Sequence, residues 1–111
     1  MIIALMMPHY GGPIELELLK GRYANERIAI QLLSITHQEP FATLTVNVPE
    51  IDLEDDELLI KGYSENAEVS TAIMEQTDLF VNTGRIINLG YVNVMVWKFK
   101  DPKTLDKIKE L

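Results

Sequence analysis

The stretch EIDLEDDEL places six carboxylates, Glu50, Asp52, Glu54, Asp55, Asp56 and Glu57, within eight consecutive positions. Acids at that density can hold a hard cation, attract a basic protein, or only keep a loop in water. The cation reading has a diagnostic form. An EF-hand loop opening at Asp52 requires glycine at its sixth position and glutamate at its twelfth. Glu57 and Tyr63 stand there instead, and the pattern fails at both. These six carboxylates are therefore read first as a contact surface for a basic protein. A small metal-assisted enzyme using the same loop is the rival reading, and a plain solvated loop is the bland one.

Other residue types offer less. His9 and His37 have no ligand-type neighbours at short spacing, and the chain has no cysteine, so a zinc site lacks donors. Ser34 and Ser64 lie outside any G-x-S-x-G elbow. "GGP" (Gly11–Pro13) lacks the Lys-Ser/Thr of a phosphate loop, and "TGR" (Thr83–Arg85) falls between strand patterns, so Gly84 and Gly90 read as bulge or turn residues. Lys98, Lys100, Lys103, Lys107 and Lys109 are interleaved with Asp101, Asp106 and Glu110, which suits a helix end better than a basic patch. Trp97, the one tryptophan, reads as a core anchor. No catalytic residue, metal ligand or cofactor is expected, and the chain is expected not to be an enzyme.

The 111 residues suit a single domain over 1–111, and 47% hydrophobic with 24% charged residues is a globular balance. The net charge of −7 is unevenly spread: residues 39–78 hold eleven acids and one base, Lys61. Such a field repels nucleic acid and acidic membranes and attracts basic proteins. The apolar run before Pro8 has no basic lead and is too short to span a bilayer. It is expected to be a buried N-terminal segment. With no cysteine, a cytoplasmic setting is expected.

The elements that position the acidic loop can be read from periodicity. Ile14, Leu16 and Leu18 alternate with Glu15 and Glu17, and Ile28, Ile30 and Leu32 with Arg27, Ala29 and Gln31, which predicts a hairpin. Gly21 and Asn25 flank its reversal. Leu44, Val46 and Val48 predict one face of a strand that ends at Pro49, with Thr43, Thr45 and Asn47 on the other. A short strand follows around ELLIKGY. Val69, Ala72, Ile73 and Gln76 then adopt helical spacing, with Ser64 or Asn66 as cap and Glu65 and Glu68 near the positive end of the dipole. Two strands meet near Gly90, and the face bearing Met95, Trp97 and Phe99 is expected under the helix. Asp101 and Pro102 predict a last helix with Leu105, Ile108 and Leu111 along one stripe. The expected class is α+β: a mainly antiparallel sheet of five or six strands, one central helix and a short C-terminal helix.

Three blocks carry a resemblance: EPFATLTVNVPE, LIKGYSENAEV and NTGRIINLGYVNVMVWKF. Pro40–Pro49, Ile60–Asn66 and Thr83–Arg85 match the pattern of the domain-of-unknown-function family numbered 4313, small proteins of bacteria, phages and plasmids. Tyr23, Asn25, Arg27, Ala29, Ile30 and Leu32 fit its hairpin pattern as well. The resemblance implies an accessory protein of a mobile element and no catalytic residues. The expected function is an acidic, non-enzymatic interaction module, in its sharpest form an inhibitor that mimics nucleic-acid charge, of anti-restriction or anti-CRISPR type. Besides the metal-assisted enzyme, the remaining alternative is a structural or oligomerising subunit that uses an exposed strand edge.

Overall fold

Alternating side chains drive the first half of the chain into strands. A computed structural model describes residues 1–7, 11–63 and 66–111. In it β1 (Ile2–Met7), β2 (Gly12–Arg22), β3 (Ile28–Ser34) and β4 (Glu39–Thr43) are antiparallel neighbours in that order. Ile14, Leu16 and Leu18 of β2 are buried and Glu15 is exposed, as a period of two requires. The β2–β3 reversal takes its left-handed residue at Glu26, φ 69°, not at Gly21 or Asn25. Gly21 lies inside β2 opposite Ala29. The N-terminal run is not wholly buried. As an outer strand it hides Ile3 and Leu5 and leaves Ile2 and Met6 at 50% and 63% exposure.

The second sheet has the order β5 (Glu57–Ile60), β7 (Asn93–Phe99), β6 (Phe80–Asn88), all antiparallel. Among the described residues there are thus eight short strands in two sheets, rather than five or six in one. The cause lies after β4. Leu44 N–H donates to Ile30 O of β3 at 2.9 Å, but Val46 N–H donates to Leu59 O of β5 at 3.1 Å. Lys61 N–H returns to Leu44 O at 2.8 Å. The backbone therefore passes from one sheet to the other at Leu44–Val46. Leu44 joins the main core, whereas Val46 and Val48 pack on a second, smaller one, although alternation had placed all three together. Thr45, expected on a polar face, is buried. It accepts Ile30 N–H at 3.2 Å and shares a 2.9 Å hydrogen bond with the Tyr23 hydroxyl.

Helix α1 (Asn66–Gln76) buries Val69, Ala72 and Ile73 in the main core, which also holds Trp97 and Phe99, as the spacing predicts. Phe80 lies 5.6 Å from both aromatic rings, in tilted contact. The Trp97 indole N–H is buried and meets no acceptor among the described residues, a local cost of about 1–3 kcal/mol. Ser64, one of the two expected caps, and Glu65, expected near the positive end of the dipole, lie outside the described residues. Asn66 is buried, and its Nδ2 donates to Thr43 O at 2.7 Å, tying the helix start to β4.

The expected C-terminal helix is a 3₁₀ turn, Thr104–Lys107, followed by β8 (Lys109–Glu110) parallel to β2 at Leu19–Lys20. Asp101 is not its cap: the cap residue is Lys103, with no side-chain cap bond, and the Asp101 carboxylate accepts Lys103 N–H at 2.8 Å in the turn just before. One helical turn is too costly a nucleus to extend when a sheet edge stands open beside it. Ile108 enters the core, and Leu111 N–H donates to Lys20 O at 2.8 Å.

Gln76, expected in the helix's apolar row, has a different task. Its Nε2 donates to Ala4 O at 2.7 Å and its Oε1 accepts Ala4 N–H at 2.8 Å. The amide thus imitates one residue of a neighbouring strand on the open edge of β1. Gln76→Ala should lower stability by about 1 kcal/mol. In hydrogen exchange, the Ala4 amide should lose protection while those of Leu18 and Leu32 keep theirs.

Candidate functional site

The acidic loop is built on the same alternation that makes strands. Val46, Val48, Ile51 and Leu53 point down onto Leu59, Val94 and Val96 and complete the second core. Between these apolar feet, Glu50, Asp52 and Glu54 stand outward and exposed, followed by Asp55 and Asp56. Burying the feet forces the carboxylates into water, so the loop is a structured cover and not merely a solvated tether.

Two arginines fasten it. Arg27, just before β3, donates through Nη1 to Val48 O at 2.8 Å and through Nη2 to Ile51 O. Arg85 donates through Nη1 to Asp52 O at 3.1 Å. Arg85 gets there by a bulge. Gly84 adopts φ 83°, the Thr83 hydroxyl donates to Val96 O at 2.7 Å, and Asn82 Oδ1 accepts Gly84 N–H at 2.9 Å. The TGR stretch is thus a bulge, as its glycine suggested. Sequence reasoning assigned no role in the loop to Arg27 or Arg85. The available signal was an arginine directly before β3 and another in a bulge motif.

Both guanidiniums are committed to backbone carbonyls, so they do not neutralise the carboxylates by direct pairing. Among the described residues the ion pairs are Lys20–Glu110 at 3.9 Å and Lys100–Asp78. In the second pair the Lys100 hydrogen bond, aided by its charge, holds the Asp78 carboxyl below its ordinary range. None of the six loop acids has a cationic partner within 4.0 Å among the described residues.

Five of the six are displayed. Glu57 is not. It is half-buried, and its Oε1 accepts Glu54 N–H at 2.9 Å while Glu57 N–H donates to Glu54 O at 3.0 Å. It staples the turn that leads into β5. Glu54, Asp55 and Glu57 line one side of a cleft of about 500 Å³ that also contains Arg22, Arg27, Leu53 and Leu105. Asp55 and Asp56 share a hollow of about 290 Å³ with Lys98, Lys100 and Asp101. Both hollows carry mixed charge. No three acids or histidines among the described residues gather to hold a metal ion. Glu54, Asp55 and Glu57 share the first cleft without forming such a group.

The other sequence candidates lie apart. Ser34 is buried, and its hydroxyl accepts His37 N–H at 3.0 Å in the β3–β4 turn, which is a structural duty. His9 and Ser64 lie outside the described residues. No described helix is long and apolar enough to cross a membrane. No family model, curated protein or solved structure matches the chain.

Arg27→Ala should cost roughly 2 kcal/mol, because charged hydrogen bonds to two carbonyls are lost together. Arg27→Lys should recover only part of that, lacking the planar fork. By contrast, Asp55→Asn with Asp56→Asn should shift stability by no more than about 0.5 kcal/mol. Denaturant midpoints measure all three. A rise in melting temperature on adding Ca²⁺ would be the outcome that favours the metal reading.

Proposed function

We propose that the chain is a non-enzymatic interaction module that docks on a basic protein surface through Glu50, Asp52, Glu54, Asp55 and Asp56. The observation that carries this reading is the way the loop is held. Apolar feet and two arginine-to-carbonyl clamps fix the backbone, while the five carboxylates face water without a paired cation among the described residues. A surface already ordered loses less entropy on docking than a floppy acidic tail. Glu57, committed to its own turn, contributes to loop shape rather than to contact.

The sharper form is an inhibitor that presents the charge of nucleic acid to a protein that binds nucleic acid. Five exposed acids within seven positions of a loop clamped at its backbone support it, as does the resemblance to family 4313 and its implied mobile-element origin. The same negative field disfavours direct contact with nucleic acid. Action in the cytoplasm follows from this reading, since such partners work there.

The test begins with capture of a basic partner from host lysate, followed by kinetics with the purified pair. Association should slow steeply with added salt, since exposed charges are screened over about 8 Å at physiological strength. Reversal of Glu54, Asp55 and Asp56 to lysine should weaken binding by about tenfold or more. Reversal of Glu15, Glu39 and Asp106, exposed acids elsewhere with the same charge change, should do much less. A partner indifferent to salt and to the loop reversal would refute the docking reading.

A further inference from the structure

Residues 105–111 are held to the fold by few groups. β8 pairs with β2 over two residues, Lys109 with Leu19 and Glu110 with Lys20. Leu111 N–H adds a bond to Lys20 O at 2.8 Å. In this segment Ile108 alone is buried, Leu105 is half-buried and the other side chains are exposed. A segment with so little buried apolar surface and an exposed ladder opens locally before the rest of its domain. Lys20 is its latch. The side chain is 17% exposed, and its Nζ donates to Leu105 O at 2.6 Å and stands 3.9 Å from Glu110 Oε1, gripping the segment on both sides of Ile108.

Beneath it lies a groove beside the acidic loop. Leu105 is a shared wall of the cleft of about 500 Å³, the hollow of about 290 Å³ and a third hollow of about 190 Å³ lined by Lys20, Arg22, Ile28 and Glu110. Lifting the segment joins these spaces along the β2 edge and opens the seat of Ile108, with Glu54 and Asp55 at the margin. What this groove accepts is visible, because the chain's own residues fill it. Residues 103–109 read Lys-Thr-Leu-Asp-Lys-Ile-Lys, two apolar side chains three positions apart among three lysines and one acid. A chain of net charge −7 thus lays a net basic segment beside its acids, the complementarity that a basic partner would use.

We infer that residues 105–111 are a strap seated in a strand-binding groove, and that a basic partner docks by laying its own extended segment on the β2 edge in the strap's place. That segment carries apolar residues among lysines or arginines, as the strap does. Main-chain bonds to Lys20 hold it, an apolar side chain enters the seat of Ile108, and its bases meet the loop acids. The occupant's origin in a basic partner rests on the docking reading. The groove and the lifting of the strap do not.

Hydrogen exchange on the unaltered chain reads the strap without any partner. The parallel ladder directs Lys20 N–H to Lys109 O, whereas Leu19 N–H faces Gln31 of β3. Corrected for intrinsic rates, the Lys20 amide should exchange about tenfold faster than that of Leu19, or more. Lys20→Met, which keeps the stem and removes the latch, should speed exchange of the Leu111 amide further. A capped peptide of residues 103–111 then probes the groove. It should bind full-length Ile108→Ser, whose own strap has lost its anchor, and restore protection at Lys20. It should bind Lys20→Met, a milder change, more tightly than the unaltered chain. The same peptide carrying Ile108→Ser should not bind. Exchange of Lys20 no faster than Leu19 overturns the inference, as does a peptide that binds neither variant. If the peptide binds but reversal of the loop acids leaves partner docking unchanged, the docking reading falls and the groove stands.

Discussion

The passage of the backbone through Leu44, Thr45 and Val46 is the constraint on which the other parts depend. Within three residues the chain bonds to β3 through Leu44 N–H, to β5 through Val46 N–H, and to Lys61, just after β5, through Leu44 O. The two sheets are thereby joined through main-chain bonds, and their twist directs side chains of one alternating row into two cores. Thr45 is tolerated at 3% exposure because its hydroxyl is bonded to both Ile30 N–H and Tyr23. An unbonded hydroxyl at that depth would cost about 1–3 kcal/mol.

From this crossing the loop inherits its form. Val46 and Val48 already rest on the second core, so Ile51 and Leu53 continue the cover, and the acids between them have only solvent to face. Six carboxylates so close together repel one another, and a flexible loop would relieve this by spreading. Here the backbone is held by Arg27 and Arg85 through carbonyl oxygens. The guanidinium charges soften the repulsion from beneath without covering the acids.

The sheet margins show three solutions to one problem, the unpaired backbone of an outer strand. A side-chain amide meets β1 at Ala4, and β8 pairs with β2 at Leu19–Lys20, beyond the end of β1. On β6 a bulge interrupts the edge, and the same bulge delivers Arg85 to the loop. Edge protection and loop anchoring are thus served by one local distortion of the backbone.

Much of the local structure was legible in the chain itself. Alternation marks β2 and β3, helical spacing marks Val69, Ala72 and Ile73, and Asp52 and Glu54 alternate with Ile51 and Leu53. These features follow from the geometry of neighbouring residues, which a sequence states directly. Other features needed distant partners. Asp101–Pro102 is a sound helix start, yet Ile108–Leu111 went to the free edge of β2, about ninety residues away in sequence. Gln76 looked like part of a helix face until Ala4 lay beside it. Glu57 could not be told from its five acidic neighbours, because its inward turn depends on where β5 begins against β7. Local period sets what each segment prefers to be. Which edge or core receives it is decided only in three dimensions, where non-local hydrogen bonds and buried area outweigh preferences of a few tenths of a kcal/mol per residue.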